Sequence, residues 1–177
     1  MPRRVISVLF TDIVDSTALF QSLGADRADE VRRAHDRAVI RSVEAAGGTV
    51  VKHLGDGIMA TFPGPSAACE AAVAAQRSVT RAGTRLGIGL AIRAGISMGE
   101  ATEEDDDWFG TPVVEAARLC GAAGPGEILL ADRAGAMAEI PGGTTSVGAL
   151  ALKGLDAAVA ASRVTWASAD DDAAPLP

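Results

Sequence analysis

The sequence predicts an α+β fold built on a ferredoxin-like βαββαβ unit, an antiparallel sheet with helices packed on it. Three observations carry that expectation. Residues 4–10, Arg-Val-Ile-Ser-Val-Leu-Phe, form a β-branched and aromatic run; Gly55-Asp56-Gly57 separates two further strand-like runs; and helix-periodic, Ala-rich segments lie on either side of that pair.

Residues 4–10 read as a buried strand, because the run is apolar rather than alternating. Thr11 to Thr17 is a polar turn. A helix is expected from about 27 to 46, where Val31, Ala34, Ala38 and Ser42 share a face and Gly47-Gly48 stops it. Thr49–Leu54 and Ile58–Phe62 flank Asp-Gly, a hairpin signal. Pro63, Gly64 and Pro65 break the chain, and Ser66 caps a helix through about residue 82. Leu86–Met98 reads as a strand interrupted by Arg93, followed by an acidic loop over 100–107. Thr111-Pro112 opens a helix that ends near Gly121. Glu127–Ala131 is a short strand, Asp132–Ala138 a short helix, and two late strands surround Lys153. The helices are expected on one face of the sheet. Residues 1–166 form one domain, and 167–177 a small acidic tail expected to be disordered.

At 177 residues and 48% hydrophobic content, the chain can bury a real core. No apolar run approaches the ~18 residues needed to span a bilayer, and the N-terminus lacks a signal-peptide pattern, so a cytoplasmic protein without a membrane partner is expected. Cys69 and Cys120 sit in helix-like segments without metal-type spacing and read as buried free thiols. The net charge is −7, from 16 basic and 23 acidic residues. Eight of the acids lie in Glu103–Asp107 and Asp170–Asp172, and the remaining 15 nearly balance the bases. No basic face is evident, which argues against a nucleic-acid partner. An acidic chain still accommodates an anionic nucleotide when a bound cation inverts the local field.

Chemistry concentrates in three segments. In Phe10-Thr11-Asp12-Ile13-Val14-Asp15-Ser16-Thr17, Asp12 ends a buried strand, and the turn after it can offer main-chain N–H groups to phosphate oxygens. The same aspartate also reads as an ordinary cap. In Lys52-His53-Leu54-Gly55-Asp56-Gly57, Asp56 lies at a hairpin tip, where a plain type I′ turn would equally place Asp-Gly. Paired, the two carboxylates could hold hard cations. The third segment runs from Asp107-Trp108-Phe109-Gly110 to Arg118, which shares a helix face with Val114. Trp108 and Phe109 are expected to anchor the loop in the core. His35 reads as a packing or dimer residue, His53 should point opposite Lys52, Asp15 caps the turn or supports Thr17, and Gly95 and Gly99 permit close backbone approach.

Together these segments resemble the class III adenylate/guanylate cyclase catalytic domain family over about residues 4–166. The motifs Phe-Thr-Asp-Ile-Val-Asp-Ser-Thr, Lys-His-Leu-Gly-Asp-Gly, Trp-Phe-Gly…Glu-Ala-Ala-Arg-Leu and Leu152-Lys153-Gly154 stand in the family's order and spacing. The resemblance implies conversion of ATP to 3′,5′-cyclic AMP and pyrophosphate at two sites shared across a homodimer interface. It makes Asp12 and Asp56, with the Ile13 carbonyl, the ligands of two Mg²⁺ or Mn²⁺ ions per site. The turn of Ile13, Val14, Asp15, Ser16 and Thr17 would adjoin the phosphates. Lys52 and Asp107 would read the adenine edge, Arg118 would stabilise the transition state, and Lys153 would grip the terminal phosphates. A Lys donor and an Asp acceptor match adenine's N1 and 6-amino group, a polarity that guanine reverses. One position departs from the pattern: Val114 stands where the family usually has a ribose-orienting asparagine. Slower turnover, or substitution by Glu115 or a water, is expected there. The competing reading is a weak or inactive homologue that acts as a nucleotide-binding signalling module.

Overall fold

A computed structural model describes residues 2–166; the tail expected at 167–177 lies outside the described residues. The sheet grows around β1 (Arg3–Ile13), which is apolar on both sides. Ile6, Val8 and Phe10 face one layer of the core, Leu9 and Ile13 the other. Along the chain follow α1 (Ser16–Leu23), α2 (Ala25–Ala45), β2 (Thr49–Leu54), β3 (Gly57–Phe62), α3 (Pro65–Leu86), β4 (Ile92–Glu104) and β5 (Asp107–Phe109). Then come α4 (Thr111–Ala122), β6 (Ile128–Ala131), α5 (Asp132–Gly135), β7 (Thr144–Leu150) and β8 (Val159–Val164). The strand order is β2-β3-β1-β4-β6-β8-β7, with β5 paired to β4.

The first four strands in that order are antiparallel and form the expected ferredoxin-like unit. Beyond it, β6 lies parallel to β4, because α4 carries the chain back across the sheet between them. β8 and β7 then pair antiparallel, so the whole sheet is mixed. That crossover also corrects the one-face expectation for the helices. α2 and α3 bury Val31, Val39, Val43, Ala72 and Val79 against Leu9, Phe62, Ile92 and Ile96. α4 covers the opposite face, with Ala116 and Cys120 against Val8, Phe10 and Met59. A Cβ on Gly95 would lie 2.2 Å from the Cys120 nitrogen and 2.3 Å from the Ala116 oxygen, so glycine lets the α4 backbone rest directly on β4. At Gly99 a Cβ would meet nothing closer than Pro112 Cγ at 3.5 Å, an ordinary contact.

Other local expectations shift for identifiable reasons. The polar turn after β1 runs straight into α1, whose Leu19, Phe20 and Leu23 pack on the core; eight residues are too few for a clear period. α3 extends to Leu86 and is ended by Gly87 at φ 69°, so β4 begins at Ile92 rather than Leu86. The acidic loop is largely strand: β4 continues to Glu104 and turns back into β5 through Asp105 and Asp106, both at positive φ (51° and 60°). α3 starts on Gly64 and Pro65, while Ser66 Oγ instead accepts the Glu139 N–H at 2.9 Å. Cys69 and Cys120 are free and buried, and burial pushes both thiols up to about 12. Trp108 is buried with Arg4 stacked 5.0 Å from its ring centroid, whereas Phe109 is 53% exposed and does not anchor the loop.

Candidate functional site

β1 delivers Asp12 to the edge of the core, and its neighbours on both sides define what surrounds it. On one side β1 pairs with β3 as far as Thr11↔Ile58, which brings Asp12 alongside Gly57, the residue after Asp56. A Cβ on Gly57 would lie 2.8 Å from the Thr11 oxygen and 3.8 Å from Asp12 Oδ1, so glycine lets the hairpin tip press against this carboxylate. Within the tip only Gly55 has positive φ (64°), unlike a type I′ turn, in which both central residues do. On the other side Asp12 faces Arg93 of β4. Arg93 Nη2 donates to Asp12 Oδ2 at 2.8 Å and Nε at 3.3 Å, while Nη1 reaches the Gly121 carbonyl at 3.3 Å. The hydrogen bond to Asp12 raises the Arg93 pKa further above its ordinary value.

Beside Asp12 opens a cavity of about 470 Å³ lined by Ile13, Asp15, Ser16, Thr17, Gln21 and Arg93. Asp15 sits at φ 51° as the N-cap of α1 and makes no side-chain cap bond, so the first N–H groups of α1 are not taken up by its carboxylate. The Ile13 side chain is in the core, which leaves its carbonyl as the group available here. Val14 closes the turn by donating its N–H to the Ala91 oxygen at 2.9 Å. Among the described residues no three His, Cys, Asp or Glu side chains converge on one point. A cation here would therefore draw on two carboxylates, main-chain oxygen and its own ligand, a donor set suited to a hard ion such as Mg²⁺ or Mn²⁺.

A second polar pair forms where an irregularity between Val50 and Lys52 shifts β2. Lys52 Nζ donates to Asp107 Oδ2 at 2.7 Å, and Asp107 Oδ1 accepts the Trp108 N–H at 2.8 Å. The bond from Lys52, followed by that from Trp108, holds the Asp107 carboxyl below its ordinary value. The pair remains partly exposed and reachable. Arg118 and Val114 are exposed on α4, and Lys153 is exposed in the loop between β7 and β8. None of these three lines the Asp12 cavity.

The single chain thus brings Asp12, Ile13, Asp15, Ser16 and Thr17 together, and separately Lys52 with Asp107. The sequence marks Arg93 only as an interruption of the apolar run Leu-Ala-Ile-Arg-Ala-Gly-Ile and gives it no part in the site. Nor does it mark a buried cluster behind α4. Glu115 Oε2 accepts Ser97 Oγ at 2.7 Å and Arg133 Nη2 at 2.6 Å, Oε1 accepts Arg133 Nη1 at 3.1 Å, and Arg133 Nε donates to the Met98 carbonyl. With both oxygens engaged there, Glu115 is not free to replace the missing asparagine.

No protein-family model matches the chain. An uncharacterized protein of Mycobacterium tuberculosis is 38% identical over 153 residues, which cover 86% of this chain and 39% of that protein. The chain thus spans well under half the length of the mycobacterial relatives it matches. The crystal structure of an adenylate/guanylate cyclase/hydrolase from Silicibacter pomeroyi superimposes with a TM-score of 0.78 at 24% identity, over 94% of this chain and 99% of that one. That of an adenylyl cyclase from P. aeruginosa does so with a TM-score of 0.72 at 25% identity, over 96% and 97%. Among the described residues no helix is long and apolar enough to cross a membrane. The likeness extends over nearly the full length of these catalytic domains, and with it the chain belongs to the class III adenylate/guanylate cyclase family.

Proposed function

We propose that this domain is an adenylate cyclase that converts ATP to 3′,5′-cyclic AMP and pyrophosphate at two sites shared between copies of a homodimer. The observation that carries the reading is the packing of the Asp12 carboxylate against the Asp56 hairpin, at the mouth of a cavity that also meets the α1 N-terminus. Asp12, Asp56 and the Ile13 carbonyl would hold Mg²⁺ or Mn²⁺, two ions per site, which would make the ribose 3′-hydroxyl acidic and offset triphosphate charge. In the turn Ile13–Thr17 the Val14 N–H is already given to Ala91, and the N–H groups from Asp15 to Thr17 would bind phosphate oxygens. Lys52 donates to adenine N1 and Asp107 accepts from the 6-amino group; the bond from Lys52 holds the Asp107 carboxyl below its ordinary value, which suits its acceptor role. Arg118 and Lys153 extend outward from the chain. They suit a role in the partner's site, stabilising charge on the α-phosphate and on the departing pyrophosphate. Arg93 would release Asp12 as a cation enters.

The test is product identification with ATP and GTP in parallel, in Mg²⁺ and in Mn²⁺, across protein concentrations. Cyclic AMP should form, with specific activity rising with concentration if sites assemble on dimerisation. Asp12→Ala and Asp56→Ala should each lower turnover by about 10³-fold or more, the scale of losing ~4 kcal/mol of transition-state stabilisation. Full activity in both variants would refute the assignment. A second reading, nucleotide binding without turnover, is favoured by Val114 and by the Arg93–Asp12 pair; it predicts cation-dependent ATP binding with no cyclic product.

A further inference from the structure

α2 and α3 pack side by side on the sheet, and their outer surfaces bound a groove of about 550 Å³. Its walls are Arg37 and Arg41 from α2 and Arg81 and Arg85 from α3; Ala34, Ala38, Ser78 and Thr84 fill the rest of its lining. Among the described residues no acidic one lines it. Arg33 and Arg77 continue the two rows, so each helix presents arginine three times at four-residue spacing. Side chains four apart share a helix face, and each row spans about 12 Å.

These rows are unusual for this molecule. The chain carries net charge −7, yet six of its 16 basic residues lie in them. Elsewhere on α2 arginine is paired: Arg27 with Glu30 and Arg32 with Asp29. Among the described residues Arg37, Arg41 and Arg85 have no hydrogen-bond or ion-pair partner, and Arg81 touches only Ser78 Oγ at 3.4 Å. Asp36 is turned to His35, and Glu44 and Glu70 line no part of the groove. Like charges at four-residue spacing destabilise a helix, so the arrangement carries a cost that an anion in the groove would offset. Guanidinium groups match phosphate geometry through paired N–H donors.

We propose that the α2–α3 groove is a binding site for a multiply charged, phosphate-bearing anion, separate from the nucleotide site. It shares no residue with that site, so cyclase activity can fail without touching this proposal.

Calorimetric titration of tripolyphosphate into the protein, with EDTA present to exclude divalent cations, tests it. Binding should weaken at least about tenfold in Arg37→Gln/Arg81→Gln and vanish when Arg41→Gln and Arg85→Gln are added. Replacing all four by lysine should retain folding and charge but bind more weakly than arginine, because the paired donors are lost. Co-sedimentation with vesicles containing phosphatidic acid, against phosphatidylcholine alone, identifies the source. Loss in the four-Gln variant would assign a lipid headgroup, and tripolyphosphate binding without vesicle binding would assign a free anion. Equal tripolyphosphate affinity in wild type and the four-Gln variant, no binding to either probe, or binding of poly-glutamate as tight as tripolyphosphate would each overturn the proposal.

Discussion

Two carboxylates meet β4 on the same face, one at Arg93 and the other at Ser97, and their surroundings differ in kind. Glu115 is buried, and its two oxygens receive three hydrogen bonds, two from Arg133 and one from Ser97. Asp12 is about a third exposed; Arg93 engages only Oδ2, and Oδ1 lies toward the Asp56 hairpin beside an open cavity. A buried carboxylate with every oxygen occupied has nothing left to offer a ligand. One that is itself partly exposed, with a free oxygen at a cavity mouth, can exchange its partner at small cost. The difference separates a carboxylate that fixes structure from one available for chemistry, although both are acid–arginine pairs within 3 Å.

The sharpest way to break that comparison is to remove each arginine. Arg133→Ala would strip the buried Glu115 carboxyl of two of its three hydrogen bonds, and because the Arg133 side chain is 49% exposed the loss should be about 2–3 kcal/mol. Arg93→Ala uncovers a carboxylate already about a third exposed and should cost about 1 kcal/mol or less. Denaturant unfolding of the two variants measures both. Comparable losses would erase the distinction. Glu115→Leu with Arg133→Met should recover most of the stability, since replacing a buried pair by apolar groups is often neutral.

A smaller effect addresses the face of α4 that Glu115 does not serve. Val114 is 40% exposed, and its neighbour Glu115 points inward, so no side chain of that pair substitutes for the ribose-orienting asparagine. If the nucleotide site is built as proposed, Val114→Asn should raise turnover by about 10-fold and at most ~100-fold, with little change in stability, because orientation within the site governs in-line attack. Steady-state kinetics decides it; unchanged turnover would mean that ribose placement does not limit this chain.

Much of this was legible in the sequence, and the rest was hidden for physical reasons. The βαββαβ order and the Asp12, Lys52 and Asp56 placements follow from turn chemistry and apolar runs that are local in the chain. The Lys52–Asp107 bond joins residues 55 apart, yet each lay in a segment already marked by its residues. What escaped needed register or packing. Arg93 faces Asp12 only because β1 and β4 pair antiparallel in that register. Ser97, Glu115 and Arg133 come from three elements, none polar enough alone to signal a cluster. The basic groove was invisible for the same reason: its arginines lie in two segments about 40 residues apart, which α2 and α3 bring together. The absence of a basic face, reasonable from the sequence, does not survive folding.

The smallest expected effect concerns a third buried polar group, His35, which tests whether closure rather than charge marks a structural side chain. It is fully buried on α2, its Nδ1 lies 2.9 Å from Asp36 Oδ1, and among the described residues its Nε2 has no partner. Burial lowers its pKa from the ordinary 6.5, against the opposing hydrogen bond and charge of Asp36 and the weaker pull of Asp56 and Asp12. The lowered pKa favours the neutral ring in the folded chain, with Nδ1–H as the donor to the Asp36 carboxylate. The unfolded chain binds a proton near pH 6.5 more readily than the folded one does, so the stability that His35 contributes is complete above that pH and falls as pH drops below it. Thermal melts from pH 7.5 to 5 should show wild type losing Tm more steeply than His35→Leu, with the two slopes alike above pH 7. Parallel slopes throughout would mean that the buried ring protonates without penalty, and that lack of a partner at Nε2, rather than neutrality, is what the fold tolerates there.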